Sequence, residues 1–165
     1  MIDIYQFLQL KGIFYKKYDH EAVFTAEEAK TKAAHVPGRQ TKNLFLCDDK
    51  KQRFYLVTIC EDKRADLKHL RAFLGEKNLR FGPAEKLMEY FKIAPGAVSP
   101  LGLANDVNNH VKFFIDSDLL KEEKIYIHPN VNTATLEIGI EDFKKFVALT
   151  NHEMKIYETP NAQTA

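Results

Sequence analysis

Residues 41–60 read TKNLFLCDDKKQRFYLVTIC. Two runs rich in apolar, aromatic and β-branched residues, Thr41–Cys47 and Arg53–Cys60, flank the polar turn DDKKQ, which is the pattern of two strands in a hairpin. Pairing about a turn near Lys50–Lys51 sets Cys47 opposite about Phe54, so a disulfide with Cys60 is badly placed. With no C-x-x-C and no Cys/His spacing suited to zinc, the two cysteines read as buried free thiols in a reducing cytoplasm. Upstream, Ile4, Phe7, Leu8 and Lys11 have helical spacing, Gly12 is a stop, and Ile13–Tyr18 reads as a strand. Thr25 and Glu28 form a capping-box pattern, opening a helix that ends before Val36-Pro37-Gly38.

Downstream, Ala65–Leu74 is an amphipathic helix with Leu67, Leu70, Phe73 and Leu74 inward, and Gly82-Pro83 starts a second helix, Pro83–Phe91. The stretch IAPGAVSPLGL (93–103) has two prolines and two glycines and is not regular helix. Val111–Ile115 is a strand, Asp116-Ser117-Asp118 opens a helical turn, and Lys124–His128 and Thr133–Ile138 are strands joined by the turn Pro129–Asn132. Glu141–Leu149 is helical on Phe143, Phe146, Val147 and Leu149, and Met154–Tyr157 is a last strand. Hairpin strands interleaved with helices predict an α+β (mixed α/β) domain, not a doubly wound parallel sheet.

The chain has 165 residues, of which 45% are hydrophobic and 28% charged, a composition that suits one soluble globular domain (1–165). No apolar run approaches a membrane span, and the N-terminus lacks the basic region of a secretory signal, so a cytoplasmic protein is expected. Lys and Arg total 24 against 23 Asp and Glu, a formal net charge of +1. The near-balance hides an asymmetry. Lys30, Lys32, Arg39, Lys42, Lys50, Lys51 and Arg53 face only Asp48 and Asp49 in residues 30–53, a local net of +5, whereas residues 116–165 carry a net of −4. The basic segment is either a solvated surface or a phosphate-backbone contact through Lys30, Lys32, Arg39, Lys50 and Lys51.

Walker A, Rossmann glycine, nucleophile-elbow and H-E-x-x-H motifs are absent, and no two of the six histidines have i,i+4 spacing, which disfavours a metal site. Three polar constellations stand out. Lys42-Asn43 follows a Pro-Gly loop at a strand start, where an ammonium can hold a phosphate, carbonyl or oxyanion, or simply blunt a strand edge. Gly96-Ala-Val-Ser99-Pro100 is either a rigid chain reversal or a loop whose amides approach a ligand. His128-Pro129-Asn130-Val131-Asn132-Thr133 offers an imidazole, carboxamides and a hydroxyl at a corner that is also ordinary turn chemistry.

In this order, TKNLFL (41–46), the GxxxP loop (96–100) and HPNVNTAT (128–135) resemble the YbaK-like aminoacyl-tRNA editing family. CEDKRADLKHLRAFLG (60–75) and RFGPAEKLMEYFKIAPGAVSPLGLAND (80–106) are also similar to it, in particular to its free-standing prolyl-tRNA deacylases that clear alanine from tRNA(Pro). The resemblance covers about His20 to Leu149. It implies a compact domain around a mixed, partly barrel-like sheet flanked by helices, hydrolysing the aminoacyl ester of mischarged tRNA without metal or cofactor. It makes Lys42 the principal functional residue, with Asn43 and His128 catalytic beside it. Gly96, Ser99, Pro100, Asn132 and Thr133 become substrate-binding positions. Asn130-Val131 and Tyr126 depart from the family's pattern around the third motif, which bears on pocket size.

No Ser–His–Asp or Cys–His arrangement is evident, so direct attack by water is the expected route, helped by orientation and an oxyanion stabiliser. The implied partners are aminoacyl-tRNA(Pro) and, transiently, prolyl-tRNA synthetase, with the protein a monomer away from any membrane. The alternatives are a deacylase for another small mischarged residue, cysteine or serine, and a non-catalytic tRNA- or synthetase-binding module.

Overall fold

The computed structural model describes residues 1–160. Helix α1 (Ile4–Leu10) is capped by Asp3, whose carboxylate accepts from the amides of Tyr5 and Gln6. Strand β1 (Lys16–Asp19) follows, starting later than expected. Thr25 caps α2 (Ala26–Lys32), its hydroxyl accepting from the Glu28 amide. Strands β2 (Thr41–Asp48) and β3 (Phe54–Cys60) form the expected antiparallel hairpin, with Cys47 opposite Phe54, and both cysteines are buried free thiols.

Helix α3 (Leu67–Leu74) is followed by a three-residue strand β4 (Leu79–Phe81) that antiparallel pairing adds to β2. Helix α4 (Ala84–Phe91) begins after Pro83, which occupies the cap and not the first helical position. Within 93–103 the chain is irregular until a 3-10 turn, Pro100–Asn105. Then come β5 (Val111–Asp116), β6 (Lys124–Ile127), β7 (Ala134–Gly139), α5 (Ile140–Leu149) and β8 (Met154–Tyr157).

Among the described residues the strands form two sheets. One has the order β4-β2-β3-β5-β8, with β3, β5 and β8 parallel; the other is the antiparallel set β1-β7-β6. The expected barrel-like sheet is therefore not closed. A single bridge, Gln40 to Tyr126, and the Thr41 hydroxyl donating to the Tyr126 carbonyl (2.8 Å) join the sheets at the start of β2. The bridge needs a glycine next door, because a Cβ on Gly38 would lie 1.7 Å from the Tyr126 ring.

All seven residues of β3 are buried, since both faces of the large sheet are covered. One face carries Phe45, Cys47, Phe54 and Leu56, which join Ile125, Ile127, Leu136 and Ile138 of the small sheet and Phe143 and Phe146 of α5 in the main core. The other carries Leu44, Leu46, Tyr55, Val57 and Ile59, which pack with Leu70 of α3, Phe114 and Tyr157. Phe73 and Leu149, read as inward from helical spacing, are 44% and 39% exposed. Phe73 instead lies edge-on over Tyr157 (4.9 Å between centroids) at the rim of the second cluster. No helix among the described residues is long and apolar enough to cross a membrane.

Candidate active site

Where the two sheets meet, side chains stitch three distant segments together. The Asn43 side chain donates through Nδ2 to the Val98 carbonyl (3.1 Å) and accepts through Oδ1 from the Thr58 hydroxyl. The Ser99 hydroxyl donates to the His128 carbonyl and accepts from the Leu101 amide (3.1 Å). The amide of Val23 donates to the Asn132 carbonyl (3.1 Å), which draws the segment before α2 onto the same corner. These ties bound a cleft of about 250 Å³ lined by Lys42, Asn43, Gly96 and His128 together with Val23, Phe24, Thr25, Thr41, Glu61 and Val98.

Lys42 is half-buried, and no hydrogen bond or ion pair engages its ammonium among the described residues. Gly96 lies under the exposed Phe24 ring. Its φ is +90°, and an added Cβ would come within 3.2 Å of Phe24 and 3.9 Å of the Asn132 carboxamide, so this wall of the cleft calls for glycine.

Also lining the cleft, His128 donates through Nδ1 to the Ala134 carbonyl (3.0 Å), because a carbonyl only accepts. The neutral imidazole consequently keeps its lone pair on Nε2. Burial depresses the His128 pKa below its usual 6.5, against the Ala134 hydrogen bond and with help from His20, whose ring centroid is 6.2 Å away. His128 is thus neutral at pH 7. His20 is itself anchored, Nδ1 donating to the Glu21 carbonyl (2.8 Å) and Nε2 meeting the Thr135 hydroxyl (2.9 Å).

Some positions expected to touch substrate do something else. Ser99 and Pro100 are buried: Ser99 is fully engaged in tying its loop to His128, and Pro100 opens the 3-10 turn behind the wall. Thr133 is exposed outside the cleft lining, its carbonyl accepting from the His20 amide (3.0 Å). Asn132 reaches the edge, beside Gly96.

The basic segment is also divided. Lys50 and Lys51 sit at the exposed hairpin turn, at the other end of β2 from Lys42. Lys30 pairs with Glu27 (3.4 Å), Lys32 with Glu28 (2.8 Å) and Arg39 with Asp62 (3.1 Å). Lys30 and Arg39 line a second groove of about 270 Å³ between α2 and residues 38–40, which shares Glu61 with the cleft.

Sequence reasoning missed Glu61, Val23, Phe24 and Thr25. Glu61 follows β3 directly. Its amide donates to the Gln40 carbonyl (2.9 Å), which extends the β2–β3 ladder by one pair and points its side chain to the face that carries Lys42. Burial raises the Glu61 pKa, while the charge of Lys42 opposes the shift. A cation and a carboxylate that face one small cleft without pairing to each other, a neutral imidazole acceptor and a glycine wall suit a polar substrate such as an ester.

The comparisons agree with that chemistry. The model of the aminoacyl-tRNA editing domain matches residues 20–146. A mouse protein, prolyl-tRNA synthetase associated domain-containing protein 1, is 40% identical over 139 residues, covering 82% of each chain. Prolyl-tRNA editing protein ProX of Acetoanaerobium sticklandii is 35% identical over 146 residues, covering 88% of this chain and 89% of that one. Among solved structures, hypothetical protein APE2540 superposes with a TM-score of 0.70 at 20% identity over 94% of this chain and 98% of that one, which is a likeness of fold. Since the family's domain spans all three stitched segments, the chain belongs to the aminoacyl-tRNA editing domain family and is an aminoacyl-tRNA deacylase.

Proposed function

We propose that the protein is a trans-editing hydrolase for tRNA(Pro) mischarged with alanine, one editing domain acting as a cytoplasmic monomer, with prolyl-tRNA synthetase as a transient partner. The observation that carries the reading is the convergence of Lys42, Asn43, Gly96 and His128, from three distant segments, on one cleft of about 250 Å³. The relatives' names supply the link to prolyl-tRNA.

In this reading the ammonium of Lys42 binds the ester carbonyl and stabilises the oxyanion as water adds. Neutral His128 accepts, through Nε2, a hydrogen bond from the attacking water or from the ribose hydroxyl that orients it. Asn43 holds the 96–98 wall in place. Phe24 over Gly96, with Val23 and Val98, narrows the cleft, so alanine is accepted and the larger proline is rejected by shape.

The test is deacylation of tRNA(Pro) charged separately with alanine, proline, cysteine and serine, with Lys42→Ala alongside. Loss of alanine alone, slowed at least about 100-fold by the substitution, is the expected outcome. Equal hydrolysis of the proline ester, or preference for cysteine or serine, overturns the alanine assignment.

A further inference from the structure

We propose that Glu61 is the subsite for the substrate's α-ammonium group, which makes a free α-amino group part of what the enzyme recognises; the inference rests on the deacylase reading above. Glu61 is the one carboxylate among the described residues lining the cleft. Neighbouring acids are engaged: Glu27, Glu28 and Asp62 pair with Lys30, Lys32 and Arg39. Half-buried Glu61, by contrast, has neither a side-chain hydrogen bond nor an ion pair among the described residues. Leaving a partly desolvated carboxylate unpartnered costs stability, and an arriving cation removes that cost.

Three other acceptors beside the cleft are already engaged, and the free Nε2 of His128 is neutral and is assigned above to the water or ribose hydroxyl. The Asn43 carbonyl oxygen accepts from Thr58, the Val98 carbonyl from Asn43 and the His128 carbonyl from Ser99. Geometry supplies the complement. With Thr41 opposite Cys60 and Lys42 opposite Ile59, Gln40 falls opposite Glu61, so Lys42 and Glu61 are diagonal neighbours on one face of the hairpin. Diagonal neighbours stand roughly 7 Å apart at the backbone, and no ion pair within 4.0 Å joins these two. An aminoacyl ester has the matching polarity: a cationic amino group two bonds from a carbonyl that becomes an oxyanion. With Lys42 on the oxygen, the ammonium falls to Glu61.

The experiment compares alanyl-tRNA(Pro) with lactyl-tRNA(Pro), in which a hydroxyl replaces the amino group. Each ester is hydrolysed by the wild type, Glu61→Gln and Glu61→Asp, and each rate is divided by the spontaneous hydrolysis of the same ester. A charge-assisted contact predicts that the wild type favours the alanyl ester in kcat/KM by about 10- to 100-fold. Glu61→Gln should bring that preference to within about threefold through a raised KM for the alanyl ester, and Glu61→Asp should keep most of it. An unchanged preference in Glu61→Gln overturns the inference. So does an equal loss of kcat on both esters, which would make Glu61 a general base or a structural support. If the wild type hydrolyses neither ester, the deacylase reading falls first and takes the inference with it.

Discussion

Asn43 has both ends of its carboxamide engaged, so it supports the cleft as much as it lines it. Asn43→Ala leaves the Val98 carbonyl and the Thr58 hydroxyl without partners, and about 1–3 kcal/mol of stability should be lost in urea melts. Asn43→Asp is expected to slow deacylation further than its effect on stability explains, because a second acceptor then faces the Val98 carbonyl. His128 gives a pH dependence with a definite sign. Its pKa lies below 6.5, so if the neutral ring is the working form, as proposed above, kcat/KM should show an acid limb with its midpoint below pH 6.5. In His128→Asn that acid limb should disappear along with most of the rate, about 100-fold. Lys42, Asn43, Gly96 and His128 were legible because each belongs to a short motif and the motifs occur in order. Glu61 and Phe24 were not, since one follows a strand and the other precedes a helix cap with no pattern of its own. Ser99 and Thr133 show the converse limit: in a loop rich in Gly and Pro, spacing does not tell which way a side chain points.

The β2–β3 hairpin was readable to within one residue at its turn, because two apolar runs and one polar turn leave few ways to pair. Its neighbours were less so. Strand β4 is three residues long and shows no periodicity, and only the available edge of β2 makes Leu79–Phe81 extended. The small sheet joins the large one through the Gln40–Tyr126 bridge, a contact between residues 86 positions apart that no local pattern announces. Another long-range tie holds β5 in place. Buried Asp106 accepts from the amides of His110 (3.0 Å) and Val111 (2.9 Å) and from His152 Nε2 (3.0 Å), which fastens the start of β5 to the turn between α5 and β8. Burial alone would raise the Asp106 pKa; the hydrogen bonds from His152, Val111 and His110 outweigh it and hold the carboxyl below its usual 3.8. A depressed carboxyl contributes fully above the unfolded value and loses its contribution as pH falls through the folded one. Asp106→Asn should therefore cost about 2–4 kcal/mol at pH 7 in chemical denaturation. The difference from wild type should shrink below pH 4, where the wild-type carboxyl gains its proton.

At the scale of the whole molecule, the +5 of residues 30–53 does not form one patch. Folding sends Lys50 and Lys51 to the far end of a strand whose length from Lys42 to Asp48 is roughly 20 Å, while Lys30 and Arg39 remain beside the groove that adjoins the cleft. The exposed pair of Lys30 with Glu27 is worth only about 0–1 kcal/mol, so an incoming phosphate competes with it on nearly even terms, whereas Arg39 is held by two hydrogen bonds to Asp62 with Glu122 3.9 Å away and yields less readily. If the acceptor end of the tRNA reaches the cleft across the adjoining groove, charge there should matter while charge at the hairpin turn should not. Lys30→Gln with Arg39→Gln is expected to raise KM for Ala-tRNA(Pro) about tenfold, leave kcat near the wild-type value, and lower the slope of log KM against log salt by about 0.7 per lost single-strand phosphate contact. Lys50→Gln with Lys51→Gln should stay within about twofold of wild type and keep the full slope. If the hairpin pair weakens binding as much as the groove pair does, the tRNA lies along the length of the large sheet, and the basic segment acts as a single surface despite its division in the fold.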